Sequence, residues 1–322
     1  MRLKTLLPFA ALIGLQICAA QTYPDRPVTL VVSSTAGGGL DAVSRPLADE
    51  LKKRLGQPII VDNKGGAGGM VAAQSVAKAR PDGYTILVTH GPPLVSAPLM
   101  YKSVPYDVRK DFAFVTMFGV GPLVLAVNQA VPAKTVKEFV DWSRANKGKV
   151  NYGSLGIGSV GHLASSFMSR SLELDMAHAP YKGEAQLVQD MIGGQVSWGF
   201  ATMGTLAPHL ASGRVHALAV LGDRRLSGLP NVPTMTEAGY ADPEYKVTSW
   251  MGVLAPAGTP APVLEQLEKA AREAVRSPAV TARLQSYGWE PVGNSSAEFR
   301  RGFEDSIPVI ARLVREAGIV PE

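Results

Sequence analysis

The sequence predicts an α/β protein of two lobes, each a mostly parallel sheet flanked by helices. Three observations carry this. Residues 28–55 run from an apolar stretch (Val28, Leu30, Val31, Val32) through Gly37-Gly38-Gly39 into Val43, Leu47, Leu51 and Leu55 at a spacing of four, which reads as strand, glycine turn and helix. The same alternation continues to Leu123 as a βαβαβ unit and then restarts. An apolar run at 248–254 finally carries the chain back, ahead of helical patterns that have no sheet of their own.

In order, the first unit is strand 28–33, helix 40–55, strand 58–62, helix 70–79 and strand 84–89. Pro46 falls inside the first helical pattern, where it removes a hydrogen bond, so a bent or loosened first turn is expected there. The second unit is strand 123–128, helix 135–146, strand 150–154, helix 160–172, strand 175–179, helix 184–192, strand 196–201, helix 205–212 and strand 215–221. Residues 227–243, rich in Pro and Gly, read as a long excursion. Helical patterns at 262–276, 280–286 and 297–316 are expected to pack on the first unit. The expected division is therefore 21–122 plus 250–322 for lobe 1 and 123–249 for lobe 2, with crossings near Leu123 and Trp250.

Residues 1–20 have the form of a cleaved secretory signal: Arg2 and Lys4, an apolar stretch from Leu6 to Leu15, then the small residues Ala19 and Ala20. A lipoprotein at Cys18 is the alternative, weakened by the bulky Ile17. The apolar stretch is shorter than the roughly 20 residues a membrane-spanning helix needs. The segment holds two of the 32 basic and none of the 27 acidic residues, so its removal leaves a mild net charge of +3 and gives no reason to propose nucleic acid as a partner. Cys18 is the single cysteine, so the mature chain has no disulfide and no thiolate chemistry.

Ligands of parallel sheets sit at the carboxyl ends of the strands. Three glycine loops lie at those ends: 36–39, 65–69 and 153–159. Each opens a helix, where unpaired N–H groups favour an anion, and three loops of one kind suggest one shared site. The candidate ligand-binding residues are Ala36, Gly37, Gly38, Gly39, Leu40 and Asp41 on the first loop and Ser154, Gly156, Gly158, Ser159 and His162 on the third. His90, Lys182 and Thr202 complete the set. Asp41 doubles as a helix cap, and Lys182 is the one basic residue on a second-lobe loop placed to face an anion, a solvated lysine being the alternative. Trp198 and Trp250 stand as core or cleft walls.

Gly156-Ile157-Gly158-Ser159-Val160-Gly161 matches the dinucleotide pattern G-x-G-x-x-G, but it sits mid-chain in an exported protein. No nucleotide or other cofactor is expected. Neither Ser154 nor Ser159 has the flanking glycines of a nucleophile elbow, and the five histidines show no metal-ligand spacing. An enzyme acting on a phosphorylated substrate would need an acid/base pair, and no such pair is evident.

The chain resembles the periplasmic solute-binding proteins of tripartite tricarboxylate transporters, the Bug family, over nearly all of its mature length. The resemblance rests on Tyr23-Pro24-Asp25-Arg26-Pro27, Gly37-Gly38-Gly39-Leu40-Asp41, Asn63-Lys64-Gly65-Gly66-Ala67-Gly68-Gly69 and Pro81-Asp82-Gly83-Tyr84. It continues in Tyr152-Gly153-Ser154 with Gly158-Ser159, in Pro180-Tyr181-Lys182-Gly183 and in Ala255-Pro256-Ala257-Gly258-Thr259-Pro260. It implies a monomeric two-lobed binding protein of the type II periplasmic class, not an enzyme. Such a protein has a closing cleft, a ligand carboxylate held by the first and third loops, and permease membrane subunits as partners. A protein of this class that signals to a membrane kinase is the alternative role. Two departures, Leu40 for a common threonine and Ala201-Thr202 for a frequent Asp-Asn pair, suggest a less polar cleft and favour an aromatic or largely apolar acid over citrate or a polar amino acid.

Overall fold

A computed structural model describes residues 23–321. The signal segment and Cys18 lie outside the described residues. The elements in chain order are β1 (Val28–Val32), α1 (Gly39–Leu55), β2 (Ile59–Asn63), α2 (Met70–Ala77) and β3 (Thr85–His90), followed by two single turns, α3 (Ala97–Met100) and α4 (Val108–Asp111). Next come β4 (Phe112–Gly121), β5 (Leu123–Asn128), α5 (Val136–Ala145), β6 (Asn151–Ser154), α6 (Val160–Ser171) and β7 (Ala177–Pro180). After α7 (Glu184–Ile192), β8 (Trp198–Thr202), α8 (Met203–Ala211) and β9 (Val215–Val220), the chain ends with β10 (Ser249–Pro256), α9 (Ala261–Val275), α10 (Pro278–Ser286), β11 (Glu290–Pro291) and α11 (Ser296–Glu316).

The strands form two sheets, ordered β11-β4-β10-β3-β1-β2 and β7-β6-β8-β5-β9. Within each, the βαβ part is parallel as expected: β2-β1-β3 in the first and β7-β6-β8 in the second. The remaining strands run antiparallel, so both sheets are mixed. The reason lies in the connections. The chain leaves the first sheet at Gly121 and enters the second at Leu123, with Pro122 alone between them. It returns into β10, which pairs with β4 at Ser249 and Gly121, so the two crossings lie side by side.

β4 escapes the sequence reading: its residues Phe112, Phe114, Val115, Phe118 and Gly119 show no strict alternation, because the strand is covered on both faces. The C-terminal helices also depart in part from expectation. α9 and α10 pack on α1, but α11 touches both lobes. A capping box of Ser295 and Glu298 starts it, and Phe299 and Phe303 close on the Phe114 ring of β4 at centroid distances of 4.9 and 5.0 Å. Its far half places Ile310, Leu313 and Val314 in the same apolar cluster as Phe167 of α6 and Tyr245. α6 is consequently buried from Gly161 to Ser169, held between its own sheet and α11.

Pro46 does not break α1, which is continuous from Gly39 to Leu55. A proline at 46 leaves the Ala42 carbonyl without its helical donor. Arg283 of α10 supplies the replacement, donating from Nε at 3.1 Å. Its guanidinium also lies 4.8 Å from the Tyr287 ring centroid. The expected consequence is a coupling that a double-mutant cycle in urea detects. Arg283→Ala should cost about 1 kcal/mol with Pro46 present and distinctly less in the Pro46→Ala background, where the new N–H meets Ala42 itself. Equal losses in the two backgrounds would remove Arg283 from that role.

Candidate functional site

A cavity of about 880 Å³ lies between the two sheets, lined by residues of both lobes. Helix starts reach it from both sheets, among them Gly39 of α1, Met70 of α2, Val160 and Gly161 of α6, and Gly204 and Thr205 of α8, and Glu184 at the start of α7 lines it as well. The starts of α1, α2, α6 and α8 are each positioned by the strand before them, since β1, β2, β6 and β8 end in the turns that open these helices. A helix start leaves its first N–H groups without intrahelical acceptors. The N–H groups of Gly39, Ala67, Gly68, Val160 and Gly161, all on cavity-lining residues, have no acceptor among the described residues.

The starts of α1, α2, α6 and α8 differ in charge. At α1, Asp41 is 2% exposed, accepts the Gly37 N–H at 2.8 Å and is bridged by Arg45 and Asn63 at 3.0 Å. Burial pushes its pKa up, but the bonds from Gly37, Arg45 and Asn63 outweigh that and hold it below the ordinary carboxylate value. At α8, the Glu184 carboxylate accepts from the Thr202 N–H and Oγ1, both at 2.6 Å, and from Thr205 Oγ1 at 2.7 Å. At α2 and α6 the first turn carries no acidic residue. These two starts, and the turn Ala67-Gly68 ahead of α2, are where the field still favours an anion. That turn is tightly wound, with positive φ at Gly66, Ala67, Gly68 and Gly69 in succession.

Of the residues expected to hold ligand, Gly39, His90, Gly158, Ser159 and Thr202 line the cavity. Ala36, Gly37, Gly38, Leu40 and Asp41 do not: the N–H of Gly37 is taken by Asp41 and that of Gly38 by the Thr35 carbonyl, which turns the first loop onto itself. Ser154 is fully buried, with its Oγ 2.7 Å from His178 Nε2 and bonded at 3.3 Å to the Gly156 carbonyl. Gly156 and His162 lie behind the same loop and Lys182 is exposed outside the cavity, so none of the three faces it. His162 instead accepts the Gly158 N–H at Nδ1, 3.3 Å away. Ser159 is the N-cap of α6: its hydroxyl accepts the His162 N–H at 3.2 Å and donates to the Gly156 carbonyl at 2.8 Å.

Burial holds the imidazoles of His90 and His162 neutral, each pushed down to about 4, and the neighbouring His178 adds to the effect at His162. Trp250 lines the cavity at 8% exposure and meets the Phe299 ring edge-on, while Trp198 is a core residue packed on Phe139, Tyr152 and Phe200. Trp289, unremarked in the sequence, is a second cavity wall and lies over Gly121 at the crossing.

Three further features lie outside the candidate set. Ala67 and Gly68 of the second glycine loop, which the sequence placed in the shared site, and Met70 at the start of α2 enter the cavity. Leu155 and Ile157, 46% and 63% exposed, give the third loop an apolar rim. Glu184 reverses the expected loss of polarity at Ala201-Thr202, since it brings a carboxylate from α7 onto Thr202. Among the described residues no group of His, Cys, Asp and Glu is gathered so as to hold a metal ion, and no helix is long and apolar enough to cross a membrane.

Comparison with known proteins places this geometry in a family. Residues 43–319 match the model of the tripartite tricarboxylate transporter family receptor. Protein BugT of Bordetella pertussis is 35% identical over 301 residues, which is 93% of this chain and 92% of BugT. The solved structure of R. palustris Rpa4515 with adipate superposes with a TM-score of 0.80 at 32% identity, covering 93% of this chain and all of the other. MatC of Rhodopseudomonas palustris, with bound malate, gives a TM-score of 0.75 at 32% identity over 91% of this chain and all of MatC. The family-model match over residues 43–319 of 322, with relatives at about 35% identity over most of their length, shows that the chain belongs to the tripartite tricarboxylate transporter family receptors.

Proposed function

We propose that this chain is a periplasmic, non-enzymatic solute-binding protein that captures a small organic carboxylate in the inter-lobe cavity and presents it to the membrane subunits of a tripartite transporter. The observation that carries the reading is that the N–H groups of the cavity-lining residues Gly39, Ala67, Gly68, Val160 and Gly161 have no acceptor among the described residues. A carboxylate supplies it, and the adipate and malate held by Rpa4515 and MatC support that class. In this reading lobe 1 comprises residues 21–122 and 250–322, lobe 2 comprises 123–249, the chain acts as a monomer, and residues 1–20 direct it to the periplasm.

Closure follows from where the lobes meet. Gly158 of lobe 2 approaches Met100 so closely that a Cβ there would overlap the thioether. On the other side of the mouth, a Cβ at Gly204 would lie 2.6 Å from the Tyr287 carbonyl carbon and 3.0 Å from the Gly288 N. A ligand bound between the lobes stabilises the state in which these contacts form.

A thermal-shift screen of the mature protein against carboxylic acids tests the capture step. An acid at about 100 times its Kd should add about 2.7 kcal/mol of stability, and no response from any acid would overturn the reading. Gly204→Ala should leave the lobes folded yet held apart, with affinity for the best acid reduced at least about tenfold and the Trp250 and Trp289 emission no longer responding to it. Unchanged affinity would mean that closure at this contact is not part of binding. The neutral imidazoles set the pH dependence. Affinity should stay level from about pH 8 to about pH 6, because His90 and His162 titrate only near 4. Stability should be complete above the ordinary imidazole value of about 6.5 and fall as pH drops from there toward 4, where the unfolded chain binds protons that the native one refuses.

A further inference from the structure

We infer that Glu184 is a specificity-determining residue, and that the preferred ligand is a monocarboxylate bearing a second, protonated donor group such as an ammonium, rather than a diacid. The inference rests on the carboxylate-binding reading above and concerns the end of the ligand that the helix-start N–H groups do not hold. The ionised side chains lining the cavity are Glu184, Asp223, Lys246 and Asp305. Asp223, Lys246 and Asp305 are exposed at the rim, and Lys246 already leans on Asp223 at 3.6 Å. Glu184 alone of the four is half-buried, and it has no basic partner among the described residues.

Its position is fixed by three donors from one short stretch. Thr202 N–H donates to Oε1, and the Thr202 and Thr205 hydroxyls both donate to Oε2. An ionised carboxyl group has about four acceptor sites, so this arrangement leaves Oε1 able to take one more donor. No protein group among the described residues offers it. A ligand ammonium or hydroxyl supplies that donor at little cost, because the carboxylate is already oriented and loses no rotamer freedom on binding. A second ligand carboxylate on the same wall faces an uncompensated negative charge in a half-enclosed space, and like-charge juxtaposition there is costly. Donor seats at Ala67-Gly68 and Val160-Gly161 and an acceptor seat at Glu184 give the cavity a polarity that a diacid does not match.

The test is calorimetric titration of the full mature protein with three matched sets of acids: butyrate, γ-aminobutyrate and succinate; caproate, ε-aminocaproate and adipate; benzoate, p-aminomethylbenzoate and terephthalate. In whichever set binds, the amino acid should be tightest, the simple acid intermediate and the diacid weakest, with about tenfold or more between the ends. Glu184→Gln keeps the shape and removes the charge, and should shrink that span at least tenfold by weakening the amino acid and admitting the diacid. The wild-type order is informative even if this variant does not fold. A wild-type protein that prefers the diacid, or a Glu184→Gln protein with an unaltered order, overturns the inference while leaving the carboxylate reading intact. So does a Glu184→Gln protein that binds the simple acids about tenfold more tightly, since Glu184 would then occupy the ligand carboxylate's own seat. If no acid of any set binds the wild type, the carboxylate reading fails and the inference fails with it.

Discussion

A backbone N–H at a cavity needs an acceptor, and those of Gly39, Ala67, Gly68, Val160 and Gly161, all on cavity-lining residues, have none among the described residues. The glycine turns exist to place them. Gly68 at φ 62° and Gly158 at φ 81° hold conformations that a side chain resists, and a Cβ at Gly158 would collide with Met100 across the cleft. The helices behind the turns contribute their dipoles, and the protein has tuned these individually. Asp41 neutralises the start of α1 and Glu184 sits on the start of α8, so α2 and α6 retain the strongest attraction for an anion.

The same economy governs the connection between the lobes. Two strands, β4 and β10, carry both crossings, and they pair beside one another at Gly121 and Ser249. A hinge made of adjacent paired strands bends about one line. α11 adds a third link that is not covalent, with Phe299 and Phe303 seated on β4 and Leu313 and Val314 in the cluster around α6. In the proposed closure, the far half of α11 is where lobe 2 meets this helix, while its near half is seated on β4 of the first sheet. Trp289 over Gly121 and Trp250 beside Gly91 pack next to the two crossings.

Most of this architecture is legible in the sequence because it rests on local signals. The βαβ units show as apolar runs and i, i+4 repeats, and the glycine loops stand at the strand ends. β4 is not legible, since a strand buried on both faces loses its alternation. Pro46 misleads for the opposite reason: its local rule is correct, but Arg283, far along the chain, satisfies the carbonyl it strands. In the site, Ser154 and His162 carry the right residue types in the right loop, yet Ser154 is spent beside His178 and His162 on Gly158, bonds that only tertiary structure reveals. Glu184 reads in sequence as an ordinary first-turn acid of a helix, and its role comes from β8 ending beside it. Lys182, two residues earlier, looks the better anion ligand and points elsewhere.

The central claim is that main-chain N–H groups, rather than a basic side chain, hold the ligand's carboxylate. The most direct measurement is a crystal structure with a saturating acid bound. The account predicts carboxylate oxygens about 2.7–3.2 Å from N atoms among Gly39, Ala67, Gly68, Val160 and Gly161, with Glu184 facing the other end of the ligand. A carboxylate paired with Lys246 at the rim, with those N–H groups still unmet, would contradict it.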